Sequence, residues 1–200
     1  MKIRADQLQS HLQNAVQNNQ LLPVFMISGD EPLLSQEAAD SVRATARQLG
    51  YTERETFYVE GKFDWNPVLN ETSSMSLFAD KKIIELRIVN GKPGDQGSKA
   101  LCELCDNLTS DNLLLVILPK LDRNAQKSKW VKALESKGVH IPVWPVSSDQ
   151  LPRWIKQRLG QAGIDANSEA VKILADRVEG NLLAAMQEIN KLQLLSVEGK

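Results

Sequence analysis

The sequence predicts a three-layer α/β core built on a five-stranded parallel sheet, followed by a small helical domain. Three observations carry this reading. Short apolar runs alternate with segments of helical periodicity as far as residue 145. One of those runs, 112–118, is apolar without interruption, as a strand covered on both faces must be. Beyond residue 149 the strand pattern stops and only helical spacing remains. Strands that alternate with helices pair in parallel through right-handed crossovers, which places helices on both faces of the sheet.

Taken in order, residues 6–19 have the spacing of an amphipathic helix, and Pro23 opens a short apolar strand that runs to Ser28 and ends at Gly29. Helical spacing resumes over 31–49. A strand is expected at 56–59, a short helix at 64–74 and a strand at 83–88. A helix at 98–107 precedes the 112–118 strand, which belongs near the centre of the sheet. A helix at 125–137 leads to the last strand, 139–144, where Pro142 points to a sheet edge because proline cannot donate to a ladder. The stretch Pro145-Val146-Ser147-Ser148-Asp149 carries linker residues that can also cap a helix, so the boundary falls there. This gives an α/β domain over 1–145 and a helical domain over 146–200 with helices at 151–161, 168–178 and 182–195, split by Gly163 and by Gly180-Asn181.

Composition excludes several function classes. With 42% hydrophobic and 24% charged residues over 200 positions, the chain can bury one sizeable core and one small one. A net charge of −1 removes the broad cationic field of a protein that coats nucleic acid. No run approaches the roughly 20 apolar residues of a membrane span, and Met1 to Asp6 does not open a targeting signal, so a cytoplasmic chain with no membrane partner is expected. Cys102 and Cys105 have the spacing of half a zinc or redox site, but no second pair completes it, and helical periodicity puts both on the face of Leu101 and Leu108. They read as small core residues.

The loop after the first strand is the most informative segment. A nucleotide-binding α/β domain wraps phosphates with a glycine-rich loop at a helix N-terminus, neutralises them with a lysine and holds magnesium with a hydroxyl, in the pattern G-x-x-x-x-G-K-[ST]. Here Gly29 fills the first position, but Leu34 stands for the second glycine, Ser35 for the lysine and Gln36 for the hydroxyl. Asp30 and Glu31 add negative charge where phosphates would arrive, and Pro32 withdraws a backbone donor. The 112–118 strand ends in Pro119-Lys120-Leu121-Asp122, with no carboxylate directly at its end to hold a metal. No catalytic residue, metal or cofactor is assigned.

Three segments share a resemblance. They are Val24 to Leu34 with its Gly29-Asp30-Glu31-Pro32-Leu33-Leu34 turn, Met75-Ser76-Leu77-Phe78, and the stretch from Leu151-Pro152-Arg153-Trp154 through Glu179-Gly180-Asn181-Leu182-Leu183 to Leu192. Together they resemble the delta subunit of the bacterial DNA polymerase III clamp loader across essentially the whole chain. The resemblance implies an AAA+-like core and helical lid with a degenerate phosphate loop, and a further C-terminal collar domain that this sequence does not contain. Leu183 stands where active lids present an arginine to the nucleotide, and no Ser-Arg-Cys triplet occurs. The resemblance therefore implies a component of the DNA polymerase III holoenzyme with no intrinsic activity. Its implied partners are the beta sliding clamp, the gamma/tau and delta prime loader subunits, and primed DNA within the assembled complex.

On residue types alone, Leu77-Phe78 leading into a strand reads as core. The resemblance instead makes Leu77, Phe78 and Met75 a tip that enters a pocket on the clamp and helps open the ring, since a leucine beside an aromatic suits an interface anchor. Residues 120–137 hold a surplus of about four positive charges, read as a solvated helix face because no base-stacking pattern accompanies them. His11 and His140 receive no role, and Trp65, Trp130, Trp144 and Trp154 read as packing residues. The competing reading is an enzyme that binds nucleotide through an atypical loop, with Lys120 or Lys82 supplying the missing charge; a doubly wound small-ligand domain lacks a polar constellation.

Overall fold

The computed structural model describes residues 1–73 and 81–198, so Met75, Leu77 and Phe78 lie outside the described residues. The chain forms two compact units, Met1–Trp144 and Pro145–Lys200. In the first, α1 (Leu8–Gln17) precedes β1 (Val24–Gly29), α2 (Pro32–Gln48), β2 (Tyr51–Val59), α3 (Asn66–Ser73) and β3 (Lys81–Ile88). The unit continues with α4 (Gly94–Asn107), β4 (Asn112–Leu118), α5 (Lys129–Lys137) and β5 (Gly138–Val143).

The five strands lie in the order β2-β3-β4-β1-β5, and every pairing is parallel. Side chains alternate across the sheet, which splits the core into two layers. Phe25 and Ile27 face the same way as Leu113, Leu115, Val139 and Ile141, and α1 and α2 cover that face with Leu8, Leu12, Ala39 and Val42. Val24 and Met26 face the other way with Ile84, Leu86, Leu114 and Val116, under Val68 of α3, Leu101 and Leu104 of α4, and Trp130 and Val131 of α5. β4 is central and β5 is an edge strand, as its Pro142 requires. Beyond β5, Lys2 bridges to His140, with the Ile3 N–H donating to the His140 carbonyl at 3.0 Å.

The second unit holds α6 (Leu151–Gln161), α7 (Ser168–Val178) and α8 (Leu182–Glu198). Each helix buries one residue per turn: Leu151, Ile155 and Leu159 on α6, Val171, Ala175 and Val178 on α7, Leu182, Ala185 and Ile189 on α8. Asn167 caps α7 by accepting the Ala170 N–H at 2.8 Å, and the Asn181 side chain accepts the Ala184 N–H at 3.0 Å. Among the described residues no helix is long and apolar enough to cross a membrane.

Candidate functional site

Parallel pairing brings the C-terminal ends of all five strands to one rim, the side of an α/β sheet that ordinarily carries its site. The turn from β1 into α2 stands on this rim. Its carboxylates are already engaged from within. The Asp30 carboxylate accepts the Lys120 backbone N–H at 2.9 Å, and Glu31 caps α2 by accepting the Leu33 N–H at 3.3 Å. Pro32, first in the helix, has no N–H to offer. An incoming phosphate would meet two carboxylates and a depleted set of donors. Gly29 owes its place to packing: a Cβ there would sit 2.2 Å from the Val143 carbonyl oxygen of the neighbouring strand. Leu34 packs against the α1/α2 core layer, and Gln36 donates to Asp40 at 3.2 Å.

Beside this turn lies a hollow of about 450 Å³ lined by Asp30, Ser35, Tyr58, Arg87, Ile117 and Pro119. Its walls are mainly apolar. The Ser35 hydroxyl oxygen is buried there without a hydrogen-bond partner among the described residues. Arg87, stacked on the exposed Tyr58 ring at 5.9 Å, spends its Nε on Glu85 at 2.8 Å. Lys82 cannot supply a missing phosphate charge: it is at the opposite end of β3, roughly 15–20 Å away at about 3.3 Å per strand residue, and is bound to Glu71 at 2.6 Å. Asp122 is likewise committed, accepting the N–H groups of Asn124 at 2.9 Å and Ala125 at 2.7 Å. Leu183 sits in the first turn of α8 with its side chain exposed. Among the described residues no group of three His, Cys, Asp or Glu side chains could hold a metal ion.

Cys105 is buried in the α4 layer and Cys102 packs against it; burial pushes the Cys105 thiol up to about 12, which leaves it protonated and unreactive at neutral pH. Other groupings escaped the sequence reading. His140 is not isolated: its Nε2 lies 2.8 Å from the Ser28 hydroxyl and its Nδ1 lies 2.7 Å from Glu135. Glu85, 1% exposed, receives Arg43 at 2.9 Å and Arg87 at 2.8 Å, with Arg54 at 4.0 Å. The packing role expected of Trp144 is wrong, because its indole is 56% exposed at the end of the edge strand, where the Lys120 ammonium lies over the ring at 5.0 Å. Trp65 and Trp130 are buried as expected.

The family model described as DNA polymerase III, delta subunit, matches residues 25–143. The chain is 32% identical over its full length to DNA polymerase III subunit delta of Escherichia coli (strain K12), and 31% identical to the protein of that name from Haemophilus influenzae. It spans 57% of the length of each of these curated relatives. Among solved structures, the Bacillus subtilis DNA clamp loader delta protein superimposes with a TM-score of 0.65 at 16% identity, covering 94% of this chain and 57% of the other. The Thermotoga maritima RuvB Holliday junction branch migration motor gives 0.59 at 14% identity, covering 96% and 62%. At such identities the structures speak to fold, and the fold is AAA+-like.

Proposed function

Because the chain belongs to the DNA polymerase III delta subunit family, we propose that it serves DNA replication as a clamp-loader module that engages the sliding clamp and hydrolyses no nucleotide. Met75, Leu77 and Phe78 are the clamp-binding residues in this reading, with Leu77 and Phe78 as anchors and Met75 widening the contact. The observation that carries it is the Met75-Ser76-Leu77-Phe78 segment, which lies between α3 and β3 and inside the span matched by the family. Wedged beside a subunit interface, this tip would help open the ring or hold it open for loading onto primed DNA. The gamma/tau and delta prime subunits are the proposed neighbours in the loader.

The absence of nucleotide chemistry is supported by the rim. Asp30 and Glu31 place two carboxylates at the turn, Glu31 takes the Leu33 N–H, and Pro32 has none to give. The competing reading, an atypical nucleotide-binding enzyme, loses Lys82 to its position at the far end of the sheet and keeps only Lys120, whose ammonium lies over the Trp144 ring.

The test compares the chain with its Leu77→Ala/Phe78→Ala variant for binding to purified sliding clamp by calorimetry. Burying both side chains is worth about 3–5 kcal/mol before ordering costs, so binding should weaken at least ~100-fold while the thermal midpoint stays within about 2 °C. Undiminished clamp affinity, or a large fall in the midpoint, would overturn the assignment of these residues. Magnesium-dependent binding of an ATP analogue tighter than about 100 µM would overturn the reading of the Gly29 loop.

A further inference from the structure

We propose that Trp144 and Lys120 form a stacking site for single-stranded nucleic acid on the sheet rim. The inference does not rest on the clamp-binding reading of Leu77 and Phe78. It starts from the contrast between Trp144 and the chain's other indoles. Trp65 and Trp130 are 6% and 5% exposed, and Trp154 carries the Arg158 guanidinium over its ring at 4.9 Å. Trp144 exposes 56% of its surface, which leaves its indole open to a partner at the end of β5.

The surroundings indicate what would cover it. The adjoining hollow, bordered by Lys2, Lys120, Gln126 and Pro142, has a volume of only about 10 Å³. It offers little room for an inserted side chain, and a flat base needs only the flat face of the indole. Cations then supply the phosphate contacts. Lys2 and Lys120 are exposed and make no ion pair among the described residues, and Arg123 and Lys127 are exposed on the turn that follows Lys120. Two carboxylates lie close by, and each is held by backbone N–H groups: Asp30 by that of Lys120, Asp122 by those of Asn124 and Ala125. They reduce the local positive charge without cancelling it. The cation–π contact of Lys120 is weak at an exposed site, so its ammonium can leave the ring for a phosphate when a base takes its place. An aromatic plane beside mobile cations is the combination by which single strands are held without regard to sequence.

The test is a titration of the full chain with a twelve-residue oligo-dT at about 50 mM salt, followed by tryptophan emission. Quenching is expected, because the one freely exposed indole among the described residues is the one that stacks. Trp144→Ala should remove most of the quenching and weaken binding by about tenfold or more, while Trp144→Phe keeps most of the affinity. Lys120→Gln should lower the slope of log K against log salt concentration by about 0.7, the value for one phosphate contact on a single strand. Trp144 and Lys120 are exposed, so their variants should melt with the parent. The Leu77→Ala/Phe78→Ala variant should bind the oligonucleotide normally. No binding at low salt, equal affinity of Trp144→Ala, or equally Trp144-dependent binding of a twelve-base-pair duplex, whose bases are already stacked, would overturn the proposal. Equal quenching by poly-glutamate would overturn it in favour of an acidic protein partner.

Discussion

His140 is 2% exposed on an edge strand, clamped between the Ser28 hydroxyl and the Glu135 carboxylate. Burial lowers its pKa, helped by the positive Lys2, and outweighs the upward pull of Glu135. In the unfolded chain the same imidazole titrates near 6.5. Above that pH it is neutral in both states, and its contribution to stability is complete. As the pH falls below about 6.5, the unfolded state takes up the proton first, and stability is lost until the lower folded pKa is reached. We therefore expect urea unfolding to show a loss between pH 7.5 and 5.5 that is smaller in a His140→Gln variant. The His140 part should be no steeper than about 1.4 kcal/mol per pH unit. Equal losses in the two proteins would show that His140 stays uncoupled from folding. None of this was legible in the sequence, where Ser28 and His140 stand 112 positions apart. Only the β1–β5 register, which pairs Met26 with His140, makes them neighbours.

At the scale of elements, Glu85 ties α2 to the sheet. It points from β3 into the α1/α2 layer and meets Arg43 of α2 at 2.9 Å, while Arg43 also holds Asp40 at 2.6 Å. Burial alone would raise the Asp40 pKa, but the Arg43 hydrogen bond prevails and holds it below the usual carboxylate range. Removing the charge from Glu85 would leave Arg43 and Arg87 buried or half-buried without their shared anion. Glu85→Gln is expected to cost about 3–5 kcal/mol in urea unfolding, whereas Arg54→Gln, at the half-exposed margin, should cost less than about 1 kcal/mol. A small effect at Glu85 would mean that water already screens the cluster. Among the described residues periodicity located each α-helix and strand, and it placed 112–118 at its observed limits because β4 is covered on both faces. It shortened β2 to residues 56–59, since Thr52, Glu53, Arg54 and Glu55 lie exposed on an edge strand with little apolar signal. It also missed the first turn of α4, where glycine masks helical spacing. A Cβ on Gly97 would sit 2.4 Å from the Trp65 ring, so that glycine makes room for the indole. The broken phosphate loop was readable residue by residue. The partners of Asp30 and the exposure of Trp144 were not, because both depend on which strands end side by side.

For the molecule as a whole, the two units bury separate apolar sets, and the first has a complete two-layer core of its own. A chain ended at Trp144 is therefore expected to unfold in a single cooperative transition with its far-ultraviolet circular dichroism characteristic of mixed helix and strand. A non-cooperative profile would show that the α/β unit depends on residues 145–200. The strand order has a further consequence, for how the fold is reached. β1 is made early, yet Val24 pairs with Leu114 on one side and Gly138 on the other, so the strand has no partner until most of the unit has been synthesised. Helices can form locally in the meantime, but the Val24-Phe25-Met26-Ile27 segment must wait through a long loop closure. We expect the slow step of folding to be the closing of β4 and β5 around this waiting strand. A nascent chain held before that point leaves the apolar Val24-Phe25-Met26-Ile27 segment unpaired and open to aggregation.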